Sequence, residues 1–460
     1  MPMDWKRLLS RKRVPFDGQP WDSSPEVARS VFERDWDRVL FSTAFRRMHD
    51  KTQVFPLPED DVVHSRLTHS LEVASVGRSL GNRVGRALCE RHSVNPTTEF
   101  DHHDVGDVVA AACLAHDIGN PPFGHAGEDA IAAFFHSETG HESVASLSAR
   151  EKADLQAFEG NAQGLGLVTR LQLEVDGGLQ LTAATLAAFC KYPRESGDEL
   201  RDKTRASKKK KHGAFQADLG TLEVVATEVG LIASSKVGGR SWSRHPLAFI
   251  VEAADDICSS ILDIEDGVRL RHLDSADAES HLLAIASKAE TFDAKRLEAT
   301  GEARSRVGYL RAMAIGRMIK ECADVFLEKE PSLLRGECDA ALGDVIPSAL
   351  ELDALKKLAR RQCYNAADVL EIELAGYEAL GGLLEHFVPA VVAEKDSRKS
   401  RPERQQKALE LLRQRRVPVD GDSLYDRILR VTDYVSGMTD RHALATYRRL
   451  KGIAIPGRIG

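Results

Sequence analysis

The chain has 460 residues, 42% of them apolar and 29% charged, with a formal net charge of -7. This length exceeds one typical domain and is enough for a sizeable core. The mild acidity excludes a protein that coats nucleic acid over its whole surface. The seven cysteines form no CxxC pair and are odd in number, which argues for reduced thiols in a cytosol rather than a disulfide framework. The opening "MPMDWKRLLSRKRVPFDG" has no apolar h-region, and no apolar run reaches the roughly 18 residues of a membrane span. The expectation is a soluble, cytoplasmic protein without a membrane partner.

In chain order, residues 1–25 are basic and punctuated by Pro and Gly, and read as an irregular N-terminal arm. "EVARSVFERDWDRVLFSTAFRRMHD", 26–50, has helical spacing, and two prolines break it in "KTQVFPLPEDD". Helical periodicity then covers roughly 66–92, 104–117, 125–137, 161–173, 180–190, 246–266, 303–329, 346–358, 365–387, 403–414 and 422–451. Strand-type alternation is scarce, so the fold class is all-α. The stretch 194–215, with four lysines at 208–211, reads as a long flexible basic loop, and 394–406 as a second polar connector. A composition change near 270 places a helical core at 26–270 and a C-terminal helical lobe at 271–460.

Four residues stand out as candidate metal ligands. His69 lies off the apolar face set by Leu67, Leu71 and Ala74. The helix over 104–117, read with Asp104 as N-cap and Asp107 completing a capping box, is apolar until His116–Asp117, where Gly119, Asn120, Pro121 and Pro122 stop it. Such a pair at the end of a buried helix is costly unless it is neutralised and coordinated. In "HPLAFIVEAADDICSSILDIEDGV", Asp255, Ser259 and Asp263 recur at i, i+4 and i+8 as one polar stripe on an apolar rod. Two imidazoles and two carboxylates form a mixed nitrogen–oxygen set, which suits Mn, Fe, Co, Ni or Mg, with zinc still open. Taken singly, each feature has a plainer meaning: a lone histidine is usually packed or superficial, and an acidic stripe is usually a solvated face. Next to them, His125 and Glu128 share a face at i, i+3 at the start of the following helix, so that the carboxylate can fix the imidazole tautomer.

The order H…HD…D, with a Gly/Pro-rich turn after the HD pair, resembles the HD-domain phosphohydrolases. The strings "FRRMHDKTQVFPL", "SRLTHSLEVASVGR", "HDIGNPPFGHAGEDAI", "FEGNAQ", "LTAATLAAFCKYP", "EAADDICSSILDIED" and "DYVSGMTDRHA" resemble its deoxynucleoside triphosphate triphosphohydrolase branch, typified by the dGTPases. The resemblance implies that His69, His116, Asp117 and Asp255 bind a divalent metal ion, and that His125 and Glu128 are catalytic beside the α-phosphate. It further implies that Arg66, Lys191 and Lys211 contact phosphates, that Asn161 supports the site, and that Asp263 accepts a bond from the sugar 3′-hydroxyl. The implied reaction is water attack on the α-phosphorus of a dNTP, giving deoxynucleoside and triphosphate.

Two positions depart from the family pattern. Ser259 stands where a tyrosine is usual, and His49 where a glutamine helps to bind the sugar. Both bear on sugar and base selectivity. The C-terminal lobe is implied to close the pocket and to support homo-oligomers, dimer-based and up to hexamers. A regulatory nucleotide or single-stranded DNA is a further implied partner, with Lys208–Lys211 and the arginines of 401–416 as candidate contacts. The competing readings are another HD-type nucleotidase or phosphodiesterase, and a weakly catalytic nucleotide sensor or nucleic-acid binder.

Overall fold

The computed structural model describes residues 2–15, 18–22, 29–55, 62–94, 100–171, 178–197, 211–234, 239–392, 402–417 and 423–453. Among these the regular elements are all helices, and β-type pairing is limited to isolated bridges such as Thr52 with Ser65. The helices that build the site are α1 Arg66–Arg91, α2 His102–Ala115, α3 Gly124–His136, α4 Gly160–Gly166, α5 Ala183–Phe189 and α6 Pro246–Arg269. Around them stand α7 Ala303–Leu334, α8 Ala367–Val392, α9 Leu424–Ser436 and α10 Asp440–Leu450.

α1 and α2 run antiparallel and unusually close. A Cβ added at Gly81 would lie 2.8 Å from the Gly106 Cα, and one at Gly85 2.8 Å from the His102 carbonyl oxygen. Two backbones meet there, and only glycine admits that approach. Working back along α1 from Gly85, the contact reaches Cys113 opposite Gly77 and ends with the His69 and His116 rings 5.3 Å apart. α2 starts earlier than its sequence suggests. Asp101 is the N-cap, accepting from the amides of His103 and Asp104, and Asp104 completes the capping box. Asp104 and Asp107 had offered the same spacing one turn later. The ion pair of Asp104 with Arg11, at 2.9 Å, belongs to the adopted register.

α6 enters through Pro246 at its first turn and buries residues on nearly every face. It packs against α1, α2, α5 and α7. The described residues before Val31 are irregular apart from the short helix Trp5–Leu8, and several are built into the core. Met3, Trp5, Leu8, Leu9 and Val14 are buried, Trp5 Nε1 donates to Glu330 at 2.8 Å, and the fully buried Arg13 pairs with Asp35 at 2.8 Å. One apolar cluster runs from Met3 to Ala359 and crosses residue 270 without a break. A second joins α3 to α8, α9 and α10.

Helices Leu219–Val229 and Ser275–Ala286 have no counterpart in the periodicity reading. The first carries Gly220, Thr221, Val224 and Val225, weak helix formers, and is held by burial of Leu219, Leu222, Val225 and Val229. The expected helix 422–451 divides into α9 and α10 at Gly437–Thr439, where the Thr439 side chain caps α10 through the His442 amide. Of the basic loop, 198–210 lies outside the described residues. Its flanks are pinned by bridges of Arg194 with Ser241 and of Glu195 with Ala214. Residues 393–401 of the second connector also lie outside them. No described helix is long and apolar enough to cross a membrane.

The α1–α2 contact leaves no room for a side chain. Gly81→Val should lower unfolding free energy by roughly 1–3 kcal/mol in a denaturant titration. An unchanged midpoint would mean that the two helices are free to separate.

Candidate active site

His69, on the second turn of α1, and His116–Asp117, at the end of α2, present ligand atoms that all lie within 4.8 Å of one another. Asp255, in the middle of α6, completes the group. Its Oδ1 is 3.3 Å from His69 Nε2 and 3.6 Å from His116 Nε2, and Asp117 Oδ2 is 3.5 Å from the same nitrogen. Ligand atoms about 2.0–2.2 Å from one ion and at right angles to each other stand about 3 Å apart, so the cluster has the size a cation requires. The chemistry also fits. His116 Nδ1 lies 2.7 Å from the Cys113 carbonyl, which fixes its proton there, and the buried Nε2 has no hydrogen-bond partner. An unpartnered buried lone pair facing two carboxylates is an arrangement that a cation resolves.

The carboxylates are held ionised. Burial by itself would raise Asp117, but the charge of the adjoining Arg66 guanidinium, first among its neighbours, holds it at about 2. Burial likewise opposes ionisation of Asp255, and His69, His116 and Lys191 keep it far below the usual range. Asp117 is also oriented from its other oxygen, where Asn120 Nδ2 donates at 2.7 Å.

The turn 118–123 brings α3 back beside this cluster. Phe123 has φ 62°, a left-handed conformation that is strained for a phenylalanine, and Gly124 follows at φ 58°. His125 Nδ1 is 2.7 Å from Glu128 Oε2; His125 is 70% exposed to the cavity and Glu128 only 10%. Glu128 Oε1 accepts the Gly160 amide at 2.7 Å, which ties the start of α4 to the pair. Burial raises the Glu128 carboxyl, but the His125 bond and charge, Lys211 and the Gly160 amide bring it below its ordinary value. An ionised Glu128 accepts the Nδ1 proton of His125 and leaves Nε2 facing the cavity.

His116, Asp117, Asp255 and His125 line one cavity of about 370 Å³, with His69 and Glu128 behind them. Arg66, Asn161, Lys191, Lys211, Ser259 and Asp263 line it too, whereas His49 does not. His49 is exposed on the turn Met48–Asp50, and the wall is made instead by Thr52, Gln53 and Val54. The 3₁₀ turn Met48–Asp50 thus carries His49 away from the cavity, and the segment after it faces the cavity. Gln53 Oε1 is buried without a partner, and Gln53 is the one amide side chain in "FRRMHDKTQVFPL", a signal the sequence did contain. Ser259 Oγ donates to its own helix at the Asp255 carbonyl, 2.8 Å, and leaves cavity space beside α6. Tyr364, on the turn Arg360–Tyr364, reaches in from the C-terminal half and donates to Asp263 Oδ2 at 2.5 Å. Burial raises the Asp263 carboxyl to about 7. No local pattern marked Tyr364.

The cations arrive already paired. Lys191 is 3.3 Å from Glu252, which also holds Arg244 at 2.7 Å, and Lys211 is 3.2 Å from Glu159. Asn161 Nδ2 donates to the same Glu159 oxygen at 2.6 Å. Lys208–Lys210 and Arg401 lie outside the described residues.

Helices carrying a histidine, a His–Asp doublet and a distant aspartate around one cavity define a hydrolase of the HD type. The HD-domain family model matches residues 66–173, and a phosphohydrolase-associated domain matches 347–449. The chain is 43% identical over 459 residues to a deoxyguanosinetriphosphate triphosphohydrolase-like protein of Synechocystis, spanning 98% of this chain and 100% of that one. It is 38% identical to a protein of the same description from Pseudomonas aeruginosa, over 99% of this chain and 100% of the relative. A deoxyguanosinetriphosphate triphosphohydrolase of Cronobacter sakazakii is 30% identical over 98% and 99% of the two chains. This chain belongs to the dGTPase-like triphosphohydrolase family of HD-domain hydrolases.

A cation that binds only the folded cluster must stabilise the fold. Mn²⁺ at about 100 times its dissociation constant should add about 2.7 kcal/mol, read as a rise in Tm. Asp255→Ala should lose both that rise and the stoichiometric metal. Retained metal in this variant would mean that a different acid completes the shell.

Proposed function

We propose that the protein hydrolyses deoxynucleoside triphosphates at the α-phosphorus, releasing deoxynucleoside and inorganic triphosphate. The observation that carries this reading is one cavity lined by His116, Asp117, Asp255 and His125, with His69 beside Asp255 and Glu128 bonded to His125 directly behind that wall. The four ligands, nitrogen and oxygen without thiolate, suit Mn, Fe, Co, Ni or Mg, and the divalent ion supplies Lewis-acid charge to the phosphoryl group.

The residues of the chain do the rest. A water oxygen bonds to the α-phosphorus and the bond to the 5′ oxygen breaks. His125 passes the proton on Nε2 to the departing oxygen, while Glu128 keeps the opposite ring nitrogen hydrogen-bonded and the ring in place. The water's proton leaves to solvent, from which His125 is recharged. A triphosphate carries about four negative charges, so Lys191 and Lys211 exchange Glu252 and Glu159 for phosphate oxygens, and Arg66 reaches the phosphates beside Asp117. Asn161 keeps hold of the carboxylate that Lys211 gives up.

Gln53 and Asp263 receive the sugar 3′-hydroxyl, and the Tyr364 ring leaves no room for a 2′-hydroxyl. Glu373 lines the same cavity and is raised by burial, with the charge of His125 acting against that. Its carboxylate accepts from the two adjacent N–H groups of guanine, a pair that adenine lacks. This favours dGTP.

Purified protein incubated with each dNTP and Mn²⁺ or Mg²⁺ should yield triphosphate; pyrophosphate or orthophosphate in its place would reject the reaction. His125→Ala should keep its metal and lose activity by about 100-fold or more. A fully active variant would remove His125 from the mechanism. Glu373→Gln should reduce the preference for dGTP over dATP by about ten-fold, the scale of one bidentate base contact. An unchanged ratio would place base selection elsewhere.

A further inference from the structure

The Asp440 carboxylate is 1% exposed and lies at the first residue of α10, far from the substrate groups in sequence. Both of its oxygens are used. Oδ2 accepts the Thr52 amide at 2.9 Å and also the Thr52 hydroxyl. Oδ1 accepts the Phe123 amide at 3.1 Å. One side chain thus joins two pieces of the cavity wall that have no helix in common: the segment Thr52, Gln53 and Val54, and the strained residue from which α3 and His125 begin.

Lys51 works alongside it. Its buried Nζ donates to the Asn120 carbonyl at 2.6 Å and to the Ser436 carbonyl at 3.0 Å. The Ser436 carbonyl is at the C-terminus of α9, the negative end of the helix dipole, where a cation is favoured. Arg47 donates to the next carbonyl, that of Gly437, at 3.2 Å. The break between α9 and α10 is therefore fastened to the 48–54 segment and to the 119–124 turn together.

We propose that Asp440, assisted by Lys51, is a positioning residue: it locks Phe123 in its left-handed conformation and so aims His125 at the departing oxygen. The C-terminal lobe acts on proton transfer through this clamp and leaves the metal cluster alone, because His69, His116 and Asp255 sit on or at the ends of the packed helices α1, α2 and α6. A left-handed phenylalanine relaxes toward ordinary backbone once its amide is released. The catalytic half of this inference rests on the proposed triphosphohydrolase reaction; the clamp itself does not.

Asp440→Asn is the informative change, since it keeps the volume and replaces one accepting oxygen with a donor. Asp440→Ala removes both arms. Hydrogen–deuterium exchange should show faster exchange in peptides covering 50–55 and 118–125 in both variants, with peptides of α1 and α6 unchanged. Metal content should stay at the wild-type level. For dNTP, kcat should fall ten-fold or more with KM moving less than three-fold. For bis(4-nitrophenyl) phosphate, whose leaving group needs no proton, the loss should be at least three times smaller. A purely structural role would lower both substrates equally, in step with the folded fraction, and that result would overturn the catalytic half. Unchanged exchange at 118–125 would overturn the clamp. A wild-type enzyme that releases no triphosphate would sink the proposed reaction instead, and exchange would still decide whether the clamp exists.

Discussion

The close antiparallel contact between α1 and α2 is the constraint on which the site depends. Glycines at 77, 81 and 85 remove side chains where α2 lies against α1, down to backbone contact at Gly81 and Gly85. Because the helices then cross no wider than their main chains allow, His69 and His116 face each other across the seam. A larger residue anywhere along it would widen the far end, where the ligands are. α6 closes the open side with Asp255, and its almost complete burial means that the aspartate is carried by a rod with no freedom to retreat.

The second constraint is electrostatic. Asp117, Asp255 and Glu252 line the cavity, Glu128 and Glu159 stand behind His125 and Lys211, and each is matched by a cation or an imidazole. Buried charges without such partners would not remain ionised. The arrangement keeps the pocket charged while leaving none of these carboxylates bare, with Lys191 and Lys211 each held by a glutamate. Asp263 differs. It takes a hydrogen bond from the Tyr364 hydroxyl, and burial, with the nearby Asp266 and Asp255, raises it toward neutrality. A group that both accepts and donates suits a hydroxyl better than a phosphate.

The residues that follow Arg360 reach the site by three routes. Tyr364 touches Asp263, Glu373 lines the mouth, and Asp440 holds Phe123. Gly376 on α8 makes room for the Phe123 ring, since a Cβ there would come within 2.7 Å of it. These C-terminal segments are thus packed onto the cavity wall, in keeping with the apolar cluster that joins α3 to α8, α9 and α10.

The helical class, most helix positions and the residues that meet in the candidate cluster were legible in the sequence because they rest on local signals: 3.6-residue periodicity, a capping residue, a polar side chain on an apolar face. His69, His116–Asp117, Asp255 and the i, i+3 pair His125–Glu128 are all of this kind, as are Arg66, Lys191 and Lys211. What tertiary structure decided is of another kind. His49 was read toward the sugar, but a 3₁₀ turn puts Gln53 on the wall in its place. Asp104 offered a cap with the right spacing, and Asp101 is used. Leu219–Val229 is helical through burial against its own propensity. Tyr364, Glu373 and Asp440 carry no local mark at all. A side chain's type and its face on a helix are set by its near neighbours in the chain, whereas its partner across a cavity is set by how distant segments pack, and no spacing along the chain encodes that.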